Sequence, residues 1–168
     1  MKPREMVLLA LLVSLALVVN LAEDMLPMPF PGMKLGAANV FALTALVLMG
    51  QKEAFFVTIL RVFLAWLLTG NVFAFFCSMA GGLLSTAAMA LLYTKFRDLF
   101  SLPWISVTGA WVFNVGQILV VAALVGDVKV FYYLLPLLPA AAAAGWTVGL
   151  LARLLSDRLA VIIDRGKF

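Results

Sequence analysis

The amino-acid sequence predicts an all-α membrane protein with six transmembrane helices in a single domain spanning residues 1–168. Three observations predict it. The chain is 65% hydrophobic and 12% charged, with a mean hydropathy of +1.15, far from the balance of a water-soluble domain. Its apolar residues gather into six runs, approximately 6–26, 35–50, 54–70, 72–93, 103–125 and 130–155, and most of them approach the roughly 20 residues that one crossing needs. The breaks between runs are short and polar or Pro/Gly-containing, so successive helices must be antiparallel. Continuous runs of this kind also exclude a transmembrane β-barrel, whose strands alternate over about ten residues.

The first run follows a basic start, as in a secretory signal peptide. A cut after Ala22 would leave Asn20 and Ala22 at the positions where such signals carry small residues, a poor pair, so the run is read as helix one. Ala10 and Ser14 form a small pair in its inner half, suited to internal packing or to a partner subunit. The break that follows, "LPMPFPGMK", holds Pro27, Pro29 and Pro31, which cannot continue a helix, and Gly32, which permits a tight turn before Lys34. The second run has sixteen residues and would reach about 24 Å, short of the roughly 30 Å hydrocarbon core. The proline segment is therefore read either as a stiff cap dipping inward, which brings Lys34 and Asn39 beside a pocket, or as a plain surface turn.

The third run contains Arg61, costly at the centre of a membrane helix. Three readings stay open for it: an anionic ligand or gating contact, snorkelling toward the near surface, or a bond to backbone carbonyls. In the fourth run, Ser78 with Gly82 and Gly81 with Ser85 give smooth surfaces for close helix packing, and the lone Cys77 is read as a small buried hydrophobe. The fifth run carries Asn114 and Gln117, and the sixth brings Ala141, Gly145 and Gly149 into register, with Pro136 and Pro139 expected to kink it.

Six crossings place both termini on one side, together with Lys2, Arg4, Lys52, Lys95, Arg97, Arg153, Arg158, Arg165 and Lys167. The opposite side receives only Lys34 and Lys129, so both termini are read as cytoplasmic. The net charge of +4 is then the fringe that meets anionic membrane lipid, and no nucleic-acid partner is expected.

With that orientation Asn20 and Glu23, Asn39, Thr69 and Asn71 fall near the outer ends of helices one, two and three. Asn114 falls near mid-membrane with Gln117 one turn further out. Lipid cannot satisfy such groups, so they tend to face the bundle interior or a water-filled cavity. Taken singly, each amide is explained by an interhelical hydrogen bond; taken together, they suggest a binding cavity in the outer half. The candidate ligand-binding set is Glu23, Lys34, Asn39, Arg61, Asn71, Asn114 and Gln117, and Phe30, Phe73, Trp111 and Phe113 could stack on a flat ring.

The chain has no histidine and no G-x-x-x-x-G-K-[ST] loop, and its aspartates, at positions 24, 98, 127, 157 and 164, stand singly. His-based acid–base chemistry, ATP hydrolysis through a phosphate loop, and paired carboxylates holding magnesium are thereby excluded, so no enzyme, metal or cofactor is expected.

The segments "LPMPFPGMKLGAANV", "LRVFLA", "SMAGGLLSTAAMALL" and "VFNVGQILVVAALV" resemble the bacterial membrane family called Gx transporters, often labelled heptaprenyl diphosphate synthase component I. The resemblance covers about residues 6–155, with Pro31-Gly32-x-Lys34-Leu35-Gly36, Asn39 and Asn114-x-Gly116-Gln117 as its most specific parts. Where relatives carry a histidine before that asparagine, this chain has Phe113. The family is similar to the substrate-binding S components of energy-coupling factor (ECF) transporters. That resemblance implies a six-helix S-component-like bundle in the bacterial cell membrane and a vitamin- or cofactor-like ligand in the outer half. Its ligand could be a flavin, a thiazole or an isoprenoid-like molecule, and its partners a coupling subunit, contacted through Ala10 and Ser14, and two ATPases. The family label implies an alternative, a non-catalytic membrane subunit of a prenyl diphosphate synthase, and a structural subunit of a larger complex is a third reading.

Overall fold

The computed structural model describes residues 3–25, 34 and 36–165, with side chains as far as residue 161. These form six α-helices: α1 (Pro3–Glu23), α2 (Asn39–Leu48), α3 (Gln51–Thr69), α4 (Val72–Lys95), α5 (Leu102–Val125) and α6 (Leu134–Arg165), with one 3₁₀ turn, Val128–Tyr133, leading into α6. The expectations for Pro27, Pro29, Phe30, Pro31 and Gly32 lie outside the described residues.

Local chemistry sets most boundaries. Gly70 takes a left-handed conformation (φ +66°) and its N–H donates to the Trp66 carbonyl at 2.8 Å, which ends α3. Asn71 then starts α4, its side-chain oxygen accepting the Ala74 N–H at 2.9 Å. Gly126 (φ +74°) closes α5 in the same way as Gly70 closes α3, and Pro103 sits in the first turn of α5, where a missing N–H costs nothing. Pro136 falls likewise in the first turn of α6, and Pro139 lies inside it.

Four helical stretches are long and apolar enough to cross a membrane: α1, α4, α5 and Val128–Val161. α3 has 19 residues but carries Lys52, Glu53 and Arg61. α2 is shorter than the second apolar run. Its 10 residues span about 15 Å. It is apolar all round and buried from Asn39 to Leu46 against α1, α3, α4 and α6, the signature of a helix enclosed by protein. α6 departs in the other direction, running on past Leu155, because hydropathy marks where a helix leaves hydrocarbon and says nothing of where it ends.

Small residues bring the helices together. A Cβ on Gly81 would lie 2.7 Å from the Phe113 carbonyl oxygen, and one on Gly116 would lie 2.9 Å from Gly81 Cα, so α4 and α5 touch backbone to backbone. A Cβ on Gly145 would meet Val107 Cα at 2.8 Å, and Ala141 is fully buried in α6. The close contacts expected of the fourth and sixth runs are thus made chiefly with α5.

Candidate functional site

A seam of buried polar side chains runs through the half of the bundle where α1 ends and α2 begins. Glu23, the last residue of α1, is 4% exposed. Its Oε1 accepts the N–H groups of Gly36 at 2.7 Å and Ala37 at 2.9 Å, and its Oε2 that of Ala38 at 3.4 Å. The first N–H groups of a helix lack intrahelical partners and carry partial positive charge. The first N–H groups of α2 donate to the Gly36, Ala37 and Ala38 carbonyls at 3.0, 3.1 and 3.4 Å, so the α1 carboxylate holds the N–H groups of the turn that enters α2. Gly36 reaches this position at φ +87°, a conformation that side chains resist, with Phe113 3.3 Å from where its Cβ would be.

Lys34 is fastened at both ends. Its backbone N–H donates to Gln117 Oε1 and its carbonyl accepts from Gln117 Nε2, each at 2.8 Å, so the α5 amide pairs with this backbone as a neighbouring strand would. The buried ammonium donates to the Asn20 carbonyl at 3.2 Å and pairs with Asp24 Oδ2 at 3.0 Å. Burial holds the Lys34 amine below its ordinary pKa, and Asp24 opposes that shift.

Deeper in the bundle, Arg61 is 1% exposed and its Nη2 donates to Asn39 Oδ1 at 2.7 Å, which eliminates the snorkelling and carbonyl readings for that nitrogen. Asn39 Nδ2 reaches Ser85 Oγ at 3.3 Å, and the Thr58 and Thr86 hydroxyls share a bond at 2.9 Å. Glu23, Lys34, Asn39, Arg61 and Gln117 therefore meet in one region contributed by α1, α2, α3 and α5.

Other buried polar atoms have no hydrogen-bond partner among the described residues. Both amide atoms of Asn20, the Ser78 hydroxyl, Asn114 Oδ1 and Arg61 Nε are unmatched, although Asn114 Nδ2 donates to the Ala110 carbonyl at 2.9 Å. An orphaned buried polar atom costs about 1–3 kcal/mol and calls for a ligand or water. Asn20 and Ser78 line a narrow cleft between α1, α3 and α4, shared with Asp24, Lys34, Trp66, Thr69, Asn71 and Phe75, whose free space of about 10 Å³ admits a single water.

The expected site residues divide. Asn71 is exposed at the mouth of this cleft and spends its side-chain oxygen on capping α4. Asn114 lies deeper and does not line the cleft. Of the aromatic residues, Phe113 packs under Gly36 and Trp111 Nε1 donates to the Leu138 carbonyl of α6 at 3.1 Å, while Phe73 packs on the buried cluster of Cys77, Ile118 and Val121. The rings at the cleft are instead Trp66 and Phe75, with centroids 5.3 Å apart. Asp24 and these two rings were not among the expected ligand residues, and Ser78 was read from the sequence only as a packing residue. Ala10 and Ser14 lie on an exposed face of α1, where the Ser14 hydroxyl is satisfied by the Ala10 carbonyl at 2.9 Å. Beside that face a groove of about 720 Å³ separates α1 from α6, with an apolar part lined by Val7, Leu8, Leu11, Leu48, Met49 and Leu159 and a charged end formed by Arg4, Glu5 and Glu53.

These features define a multi-pass helical membrane protein with a polar seam buried among its helices. The chain matches the family model described as heptaprenyl diphosphate synthase component I over residues 12–155, and it belongs to that family. No curated protein and no solved structure matches it.

Proposed function

We propose that this protein is the substrate-binding membrane subunit, or S component, of an ECF-type transporter in the bacterial cell membrane. It crosses six times with both termini cytoplasmic, the second crossing being a short, enclosed one made by α2 together with the turn that leads into it. The observation that carries this reading is the group of orphaned polar atoms at the outer cleft: Asn20 and Ser78 face a space that holds only one water, beneath the tethered Lys34 segment. Polar groups without a protein partner among the described residues suit a site completed by a ligand that arrives when α1 and Lys34 separate from α3 and α4. Asn20 offers a donor and an acceptor, Ser78 a hydroxyl and Trp66 with Phe75 flat apolar surfaces, which fits a small, polar, ring-containing molecule of vitamin or cofactor type. Asn114 supplies a deeper acceptor. Glu23, Lys34, Asn39, Arg61 and Gln117 form the frame that opens around the ligand, and Asn71 sits at the entrance. The coupling subunit docks on the face of α1 that holds Ala10 and Ser14, where the adjoining groove leaves apolar room, and partner ATPases supply the energy.

The family description favours a second reading, a non-catalytic membrane subunit of a heptaprenyl diphosphate synthase. Arg61, the deepest cation of the seam, would then hold a diphosphate, but its Nη2 is spent on Asn39.

Purification of the chain alone in mild detergent, followed by denaturation and mass spectrometry of released small molecules, tests the proposal. A stoichiometric polar compound in the parent that is lost in an Asn20→Leu, Ser78→Ala variant is expected. If prenyl diphosphate synthesis by a partner depends on this chain and no small molecule copurifies, the second reading replaces the first.

A further inference from the structure

Away from the outer cleft and sharing no residue with it, a cavity of about 300 Å³ lies between the α4–α5 connection and α6. Two guanidinium groups line it from different elements, Arg97 beyond the end of α4 and Arg153 within α6. Among the described residues neither has a carboxylate within ion-pairing distance. Arg97 is held over the Tyr93 ring, with its guanidinium carbon 5.1 Å from the ring centroid. The Ser101 hydroxyl also borders the cavity and makes no capping bond to α5. Asp157 stands one helical turn beyond Arg153, and the walls include the apolar Phe100 and Ile105.

The depth of this cavity fits a membrane interface. Arg153 lies nineteen positions after the first residue of α6, about 28 Å along the helix and close to the thickness of the hydrocarbon core. The two arginines, with no carboxylate partner among the described residues, offer planar forks of donors suited to a phosphate, and Asp157 offers the single negative charge that an ammonium group would meet. A multiply charged free anion would be repelled by Asp157 and would gain nothing from the apolar walls. A phosphate with a neighbouring amine and attached acyl chains satisfies all three features.

We propose that this cavity binds the headgroup of an amine-bearing phospholipid from the cytoplasmic leaflet, with the phosphate between Arg97 and Arg153 and the amine at Asp157. The inference rests on the membrane placement of α4, α5 and α6 and is independent of the ligand at the outer cleft.

The test uses the full chain in nanodiscs of equimolar phosphatidylethanolamine and phosphatidylglycerol, released into the gas phase for native mass spectrometry. The parent should retain about one phosphatidylethanolamine per chain in preference to phosphatidylglycerol, and Arg97→Gln, Arg153→Gln should lower retention at least about tenfold. Asp157→Asn should keep the lipid and lose the preference, and millimolar inorganic phosphate should displace nothing. Equal retention of both lipids by the parent, unchanged retention in the double variant, or displacement by inorganic phosphate each overturns the proposal. The headgroup preference is read on the parent, so misfolding of a variant cannot hide a negative result.

Discussion

Two flanks of the half of the bundle where α1 ends both bury polar side chains and treat them in opposite ways. On one flank Glu23, Lys34 and Gln117 are bonded through nearly every available atom: a carboxylate holds the turn into α2 and an amide clasps the Lys34 backbone. On the other, Asn20 and Ser78 are equally buried and have no side-chain partner. Burial is alike on both flanks, so it does not separate a structural group from a ligand group. The state of the hydrogen bonds does. The bonded flank should therefore answer mutation with lost stability, and the unbonded flank with lost binding.

The sharpest break of this contrast is Glu23→Ala. It removes the acceptor for three N–H groups of the turn that enters α2, which the interior cannot replace with water. A loss of about 3 kcal/mol is expected from the lost bonds and the unmatched donors together. Thermal unfolding in detergent should shift down strongly, with Glu23→Gln intermediate because it keeps one acceptor oxygen. A Glu23→Ala protein that melts like the parent would show that α2 does not depend on this carboxylate.

Gln117→Leu should come next. It deletes two bonds of 2.8 Å and leaves the Lys34 N–H and carbonyl without those partners, at about 2 kcal/mol. Because Asp24 still holds the Lys34 ammonium, the predicted signature is local. Proteolysis or amide exchange between α1 and α2 should accelerate more than global unfolding does. Uniform destabilisation without that local opening would mean that Gln117 serves the α4–α5 packing around Gly81 instead. Gly145→Ala then provides the comparison for α5 packing, since its methyl group would meet Val107 Cα at 2.8 Å, away from Gln117, and should cost about 1–3 kcal/mol without freeing Lys34.

Much of the helical fold was legible in hydropathy, and the gathering of several polar residues at one level of the bundle was legible in helical spacing. The expected cluster of Glu23, Lys34, Asn39, Arg61 and Gln117 is brought together in the structure. Their roles were not legible, because the Glu23 partners are backbone N–H groups that carry no sequence signature. Ser78 was hidden in a stretch of glycine and alanine that reads as packing surface, and it is both packing surface and an unmatched hydroxyl. The rings that line the cleft were not legible for a geometric reason: Phe73 and Phe75 are two residues apart on α4, so they face different neighbours, and nothing local says which one faces the cleft. The extension of α6 past Leu155 was missed because its polar residues mark only the exit from hydrocarbon.

The smallest stability effect belongs to the unbonded flank and carries the contrast furthest. Asn20→Leu removes an amide with no side-chain partner to leave behind and replaces it with an apolar group of similar size. Relief of the orphaned donor and acceptor should offset any strain from the branched side chain, so the melting temperature of the ligand-free protein should stay level or rise slightly, by about 1 kcal/mol in equivalent stability at most. Ligand occupancy should fall at the same time. Stability and function would then move in opposite directions at one residue, which a packing role for Asn20 cannot produce. If Asn20→Leu instead destabilises as Gln117→Leu does, then Asn20 is tied to its neighbours through ordered water, and the cleft is part of the frame that holds Lys34.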